Sequence, residues 1–129
     1  MAAYEIEIIL TRQLADCLSI PVFITDTIGN LIFYNEPAEE LLGLRFEETG
    51  EMPVDLWATV FTPMDELSNN IPTNDLPLVK TLKNVQPYHK TFWIKSLQGI
   101  KEKISVTSYP IIDREKKFVG AVAIFWKEK

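Results

Sequence analysis

The chain is poor in the residues that carry chemistry: one cysteine, one histidine and five glycines among 129 residues. With Cys17 alone no internal disulfide can form, and a reducing, cytoplasmic setting is the expectation. One histidine, His89, cannot build a zinc site, which takes three or four grouped ligands. Nor does it serve Ser19, Ser68, Ser96, Ser105 or Ser108 as a base, since none of these stands in a Gly-flanked nucleophile motif. The glycines are too scattered for a phosphate-cradling loop. Positive charge is also short: 13 Lys and Arg face 18 Asp and Glu, a net charge of −5. That disfavours broad binding to nucleic acid or to anionic membranes. No apolar run approaches the ~20 residues that span a bilayer, so no membrane insertion is expected. Glu5 and Glu7 interrupt the first apolar stretch and no basic segment precedes it, unlike a secretory leader. The chain is not expected to be an enzyme.

What is present fits one domain with one core, 47% apolar and 24% charged. Between Tyr4 and Leu18, apolar residues fall at Ile6, Ile9, Leu10, Leu14, Cys17 and Leu18, a helical spacing with one apolar face. Pro21 should stop that helix near Ser19. Residues 1–19 therefore read as an amphipathic helix ahead of the domain proper, residues 20–129. Its stripe is expected either to cover a sheet face or to meet a second copy through Ile6, Ile9, Leu10, Leu14 and Cys17. Cys17 itself is expected to be a small buried hydrophobe.

The segment from Ile20 to Gly43 is the richest in pattern. Val22 to Thr25 and Leu31 to Tyr34 read as strands around the turn Asp26-Thr27-Ile28-Gly29-Asn30. Asn35 is a helix cap ahead of Glu36-Pro37, Leu41 and Leu42 supply a buried face, and Gly43 is the stop. Prolines then break residues 44–73 into pieces, with about one helical turn expected at Asp55 to Val60 and another at Pro63 to Leu67. Trp57, Val60, Phe61 and Met64 are large enough to pack back on a core. Asn74 or Asp75 is expected to cap a helix from Leu76 to Asn84. Strands follow at Tyr88 to Ser96, Ile104 to Ile112 and Phe118 to Lys127, with a turn at Leu97-Gln98-Gly99 and a charged one at Asp113 to Lys117. Their alternation suggests an antiparallel sheet with one covered face. Acidic residues gather at Glu36, Glu39, Glu40, Glu47, Glu48, Glu51 and Asp55, and basic ones at Lys101, Lys103, Arg114, Lys116 and Lys117. These are two solvated faces, or a dipolar surface that orients a partner.

This order resembles a PAS domain over nearly all of residues 20–126. The Asp26-x-x-Gly29 turn, Asn35 at the end of the second strand, Gly43 closing Glu-Leu-Leu-Gly, and Pro77-Leu78 carry the resemblance. Gly99, Pro110 and Val119-Gly120-Ala121-Val122 extend it. It implies an α+β fold: a five-stranded antiparallel sheet of order 2-1-5-4-3, short helices on one face, and the N-terminal amphipathic helix. The GAF fold is the neighbouring alternative. The resemblance also implies a sensory or regulatory module that dimerises and relays to an output domain or partner. In a bacterial two-component system that output would be a histidine kinase.

Cofactor-bearing members have markers, and this chain lacks most of them. Light-sensing flavin members carry a reactive cysteine on a middle helix, whereas residues 55–75 here have none. Haem members offer a histidine from the helix before the third strand, and His89 comes after that helix. Flavin and haem are therefore expected to be absent. Trp57, Trp93 and Trp126 keep a redox flavin as an alternative, beside a plain protein-interaction module. What remains is an apolar pocket for a small apolar ligand. Its expected walls are Ile24, Phe33, Leu78, Val79, Leu82, Phe92, Ile94, Ile104, Val106 and Ile124; a filled core is the other reading.

Overall fold

The computed structural model describes residues 5–43, 45–60, 62–95 and 99–128. Helix α1 (Ile6–Asp16) leads into β1 (Val22–Thr25) and β2 (Leu31–Tyr34). Three short helices follow, α2 (Glu36–Leu42), α3 (Phe46–Thr49) and α4 (Val54–Val60). A 3-10 turn at Thr73–Asp75 precedes α5 (Pro77–Asn84), and β3 (Tyr88–Lys95), β4 (Lys101–Ile112) and β5 (Phe118–Lys127) complete the chain. The strands form one sheet in the order β2-β1-β5-β4-β3, each pair antiparallel. This is the expected architecture and strand order.

Local chemistry fixes the junctions. Asp26 Oδ1 accepts from the amides of Ile28 and Asn30 (3.1 and 2.9 Å), and Gly29 takes φ +96° to close the turn. A Cβ at Gly29 would touch Leu82 and Val54 at 3.4 Å, so the turn lies in contact range of α4 and α5. Asn35 uses its whole amide. Its Oδ1 accepts from Val22 N (3.0 Å) and Ala38 N (3.2 Å), and its Nδ2 donates to Ala15 O and Ile20 O (both 2.9 Å). One buried side chain thus caps α2 and ties the end of α1 to the start of β1. Gly43 ends α2 at φ +77°.

The apolar residues divide between the sheet's two faces. The inner face packs Phe23, Tyr34, Phe92, Ile94, Ile104, Val106, Ala121, Ala123 and Phe125 against α2, α4 and α5. The outer face packs Val22, Ile24, Ile32, Phe33, Ile111, Val119 and Val122 beneath Ile8 and Ala15 of α1. Both faces are thus apolar where α1 lies, and β1 and β2 are buried at every position. One covered face was expected; alternation is visible only in β3, beyond the reach of α1.

Several local expectations differ from the structure. Pro63 to Leu67 does not form a helical turn: Met64 instead exchanges backbone hydrogen bonds with Trp93 (2.8 and 2.9 Å), covering the edge of β3. Neither Asn74 nor Asp75 caps α5. Its N-cap is Leu76 without a side-chain bond, because Thr73–Asp75 already form their own tight turn. α4 is two turns rather than one, and β4 begins three residues earlier, at Lys101. Trp57 and Met64 do pack into the core. Val60's side chain, Phe61, and the turn residues Ser96, Leu97 and Gln98 lie outside the described residues.

Candidate functional site: an apolar cavity and an outward helix stripe

The inner face encloses a cavity of about 30 Å³ between the sheet and α4–α5. Leu78, Phe92, Ile94, Ile104 and Val106, all expected as walls, line it. Val79 and Leu82 belong to the same core but stand back from the space. Ile24, Phe33 and Ile124 do not belong: they point to the outer face beneath α1. The reason is register. Ile24 pairs with Phe33 and with Val122, and Val22 pairs with Ile124, so these residues share the face opposite Phe23. Sequence reasoning missed Phe23, Leu42, Trp57, Leu76, Pro77, Ala123 and Phe125, which complete the lining. Ala121 and Ala123 held a usable clue. Small residues at alternate positions mark the face that a helix approaches, leaving Val122 and Ile124 for the other.

The lining is apolar apart from one indole nitrogen, and that group is engaged: Trp57 Nε1 donates to Gly29 O at 2.8 Å. Phe23 and Phe125 meet edge-on at 4.8 Å between centroids and form the cavity's floor. An apolar space of this kind stays dry, and it is several times smaller than an engineered apolar cavity of ~150 Å³ that binds benzene. Its volume corresponds to one or two heavy atoms, and its walls offer no free hydrogen-bonding group. The cavity is smaller than a flavin's ring system, and its lining offers no free polar atom. Nor is a haem ligand at hand, because His89 lies on the outer face with Nδ1 2.8 Å from Thr107 Oγ1 and its ring tilted against Trp126. Among the described residues, no group of three or more His, Cys, Asp and Glu could hold a metal.

The second feature is α1. Gly120 admits it: a Cβ there would stand 2.5 Å from Thr25 O and 2.7 Å from Ile8 Cδ1. Ile8 and Ala15 are buried against the sheet, and Arg12 lies over the Phe33 ring at 4.4 Å. The stripe expected from sequence faces the other way. Ile6 (61%), Ile9 (45%), Leu10 (55%) and Leu14 (58%) are exposed. Cys17 is exposed too, against the expectation that it is buried. α1 therefore has two apolar sides, one spent on its own sheet and one open. No helix among the described residues is long and apolar enough to cross a membrane.

Comparison with known proteins agrees with this geometry. A protein-family model described as PAS domain matches residues 10–76. No curated protein matches significantly. Among solved structures, the chain is similar to the PAS domain of a protein from Colwellia psychrerythraea (TM-score 0.65, 19% identity, covering 93% of this chain and 97% of that one). It is similar to the Rhodobacter sphaeroides LOV protein (TM-score 0.71, 10% identity, 97% and 69%). A third is the LOV domain of a blue-light activated histidine kinase from Erythrobacter litoralis (TM-score 0.64, 17% identity, 85% and 96%). At these identities the likeness is one of fold.

Proposed function

The chain belongs to the PAS domain family, as a module of the sensory signalling kind, and on that premise we propose that it works as a dimeric relay in the cytoplasm. The observation that carries the reading is the outward stripe of Ile6, Ile9, Leu10 and Leu14 on a helix already anchored by its other side. A contiguous apolar strip on an exposed helix is costly in water, and pairing two copies through it removes that cost. The module catalyses nothing itself, and chemistry belongs to an output domain or partner, such as a histidine kinase in a two-component pathway. Asn35 gives the relay a rigid joint, since it binds α1, β1 and α2 at once. The test is sedimentation equilibrium of the chain and of its Leu10→Gln/Leu14→Gln variant. A dimer that becomes monomeric in the variant is expected, and a strict monomer in both at high concentration contradicts the dimer.

A second reading rests on the cavity. A small occupant without hydrogen-bonding groups, held by burial alone, is the ligand its walls support. Xenon is a suitable probe. Amide NMR under xenon pressure is expected to shift resonances around Phe23, Trp57 and Phe125, and unperturbed resonances there count against any ligand in this space.

A further inference from the structure

The outer face is not uniform. α1 covers β2, β1 and the Ile111 and Val119 ends of β4 and β5, while the part of β4 that pairs with β3 is open and of different chemistry. By strand alternation His89, Thr91, Trp93 and Lys95 of β3 share that face with Lys101, Lys103, Ser105 and Thr107 of β4. Lys103 stands opposite Trp93, and Lys101 opposite Lys95. The Lys101 and Lys103 ammoniums lie 5.7 and 5.2 Å from the Trp93 ring centroid, which gathers two like charges over one indole. Neither these two nor Lys95 pairs with a carboxylate within 4.0 Å among the described residues, where the ion pairs are Arg45–Glu47 and Lys127–Glu102. Glu128 reaches this face and accepts a hydrogen bond from the buried Ser105 hydroxyl, Lys101 Nζ donates to Ser68 Oγ at 2.7 Å, and Asp65 and Glu66 line a cleft beside Thr91 and Trp93 at the sheet edge. Beside the lysines Trp126 is 37% exposed.

We infer that this end of the sheet is a docking surface for an acidic, partly apolar segment of another protein. The Lys101 and Lys103 ammoniums repel each other over one indole, with Lys95 opposite Lys101 in the register, and carboxylates laid across them relieve that repulsion while an apolar side chain covers Trp126. A twofold contact between copies centred here sets lysine against lysine, so the dimer and this surface occupy different parts of the molecule. Single-stranded nucleic acid is the poorer match. The chain is net negative, Trp93 is already capped by its own lysines, and the His89 ring lies 5.8 Å from that of Trp126, leaving little open ring for a base. The chain's own acidic helices are the remaining candidate. They lie at the opposite edge of the sheet, where Phe46 of α3 packs edge-on to Phe33 and Tyr34 of β2, so copies joined head to tail through them would close into a ring or grow an open chain.

The probe is a short synthetic peptide of alternating Glu and Leu, titrated into the isotopically labelled chain and followed by amide NMR at low and high salt. A Gln-for-Glu peptide and oligothymidylate serve as comparators. The expected result is shifts confined to β3, β4 and the end of β5, weakened by salt, with affinity falling about tenfold in the Lys95→Gln/Lys101→Gln/Lys103→Gln variant. All three positions are exposed, so the variant is expected to keep its fold, checked by an unchanged thermal melt. Trp126→Ala is a second variant expected to weaken the peptide without altering its salt dependence. The inference is overturned by no shifts at this patch, by equal binding of the Gln peptide, by tighter binding of oligothymidylate, or by assemblies that grow head to tail.

Discussion

The sheet's inner and outer faces are built from the same residue types yet do different work. The inner face is closed by three helices and the β1–β2 turn; there Trp57 is tied to Gly29 and Thr81 to Ser108 (2.7 Å), while the buried Thr25 hydroxyl has no hydrogen-bond partner among the described residues. The outer face is closed only where α1 reaches, through a helix that buries Ile8 and Ala15 and leaves Ile6, Ile9, Leu10 and Leu14 exposed. On the proposed reading, the inner face carries the larger core while the outer face, with a smaller core beneath α1, serves contacts with partners.

The comparison breaks most visibly at the inner face. Trp57→Ala removes a cavity wall and the tether to the turn, and is expected to cost about 3–5 kcal/mol in chemical denaturation. Asn35→Ala strands the partners of a shared joint and is expected to cost about 2–3 kcal/mol. It should also raise hydrogen exchange in α1 more than in α5. Gly120→Ala drives a methyl into Thr25 O and Ile8, at about 1–3 kcal/mol, and should loosen α1 first. By contrast Leu10→Gln/Leu14→Gln, on the outward stripe, should move monomer stability by only about 0.5 kcal/mol while abolishing association.

The smallest effect lies at alkaline pH. Burial raises the Tyr34 phenol above 10.0, an effect the Thr49 hydrogen bond reduces and Glu39 and Glu48 reinforce; burial raises Tyr109 likewise. Tyr34 belongs to the inner core and Tyr109 packs on the outer one. A raised phenol favours the folded state fully below the unfolded value near pH 10, and that contribution is lost as pH climbs through the folded value. Stability should therefore decline above about pH 10. Tyr34→Phe and Tyr109→Phe should each blunt the decline, and an unchanged pH profile in both contradicts the assignment.

Much of the fold was legible because local chemistry and long-range order agree. Asp26, Gly29, Asn35 and Gly43 act in the structure as turn, cap and stop, and each is a residue type with one backbone task. What was not legible is which side of each strand faces the helices. β1 and β2 are buried throughout, so alternation is silent there, and Ile24, Phe33 and Ile124 went to the wrong face while Phe23 and Phe125 were missed. The stripe of α1 was read correctly as apolar, but periodicity does not say that Ile8 and Ala15 alone suffice to seat the helix. The lysine and tryptophan cluster arises from cross-strand pairing of residues up to ten positions apart in sequence, which no single-strand pattern reveals.

The most direct test of a dimer through α1 uses the single native cysteine. Cys17 is exposed at the end of the outward stripe, so a nitroxide attached there reports on a second copy without further substitution. Helices pack ~8–10 Å apart, and Cys17 lies about two turns from the stripe's centre. Pairing through α1 in either direction therefore brings the two labels within about 25 Å. Pulsed electron spin resonance is predicted to show one narrow intermolecular distance in that range, lost in Leu10→Gln/Leu14→Gln. No dipolar coupling at high protein concentration, or a distance beyond ~40 Å, would contradict the account.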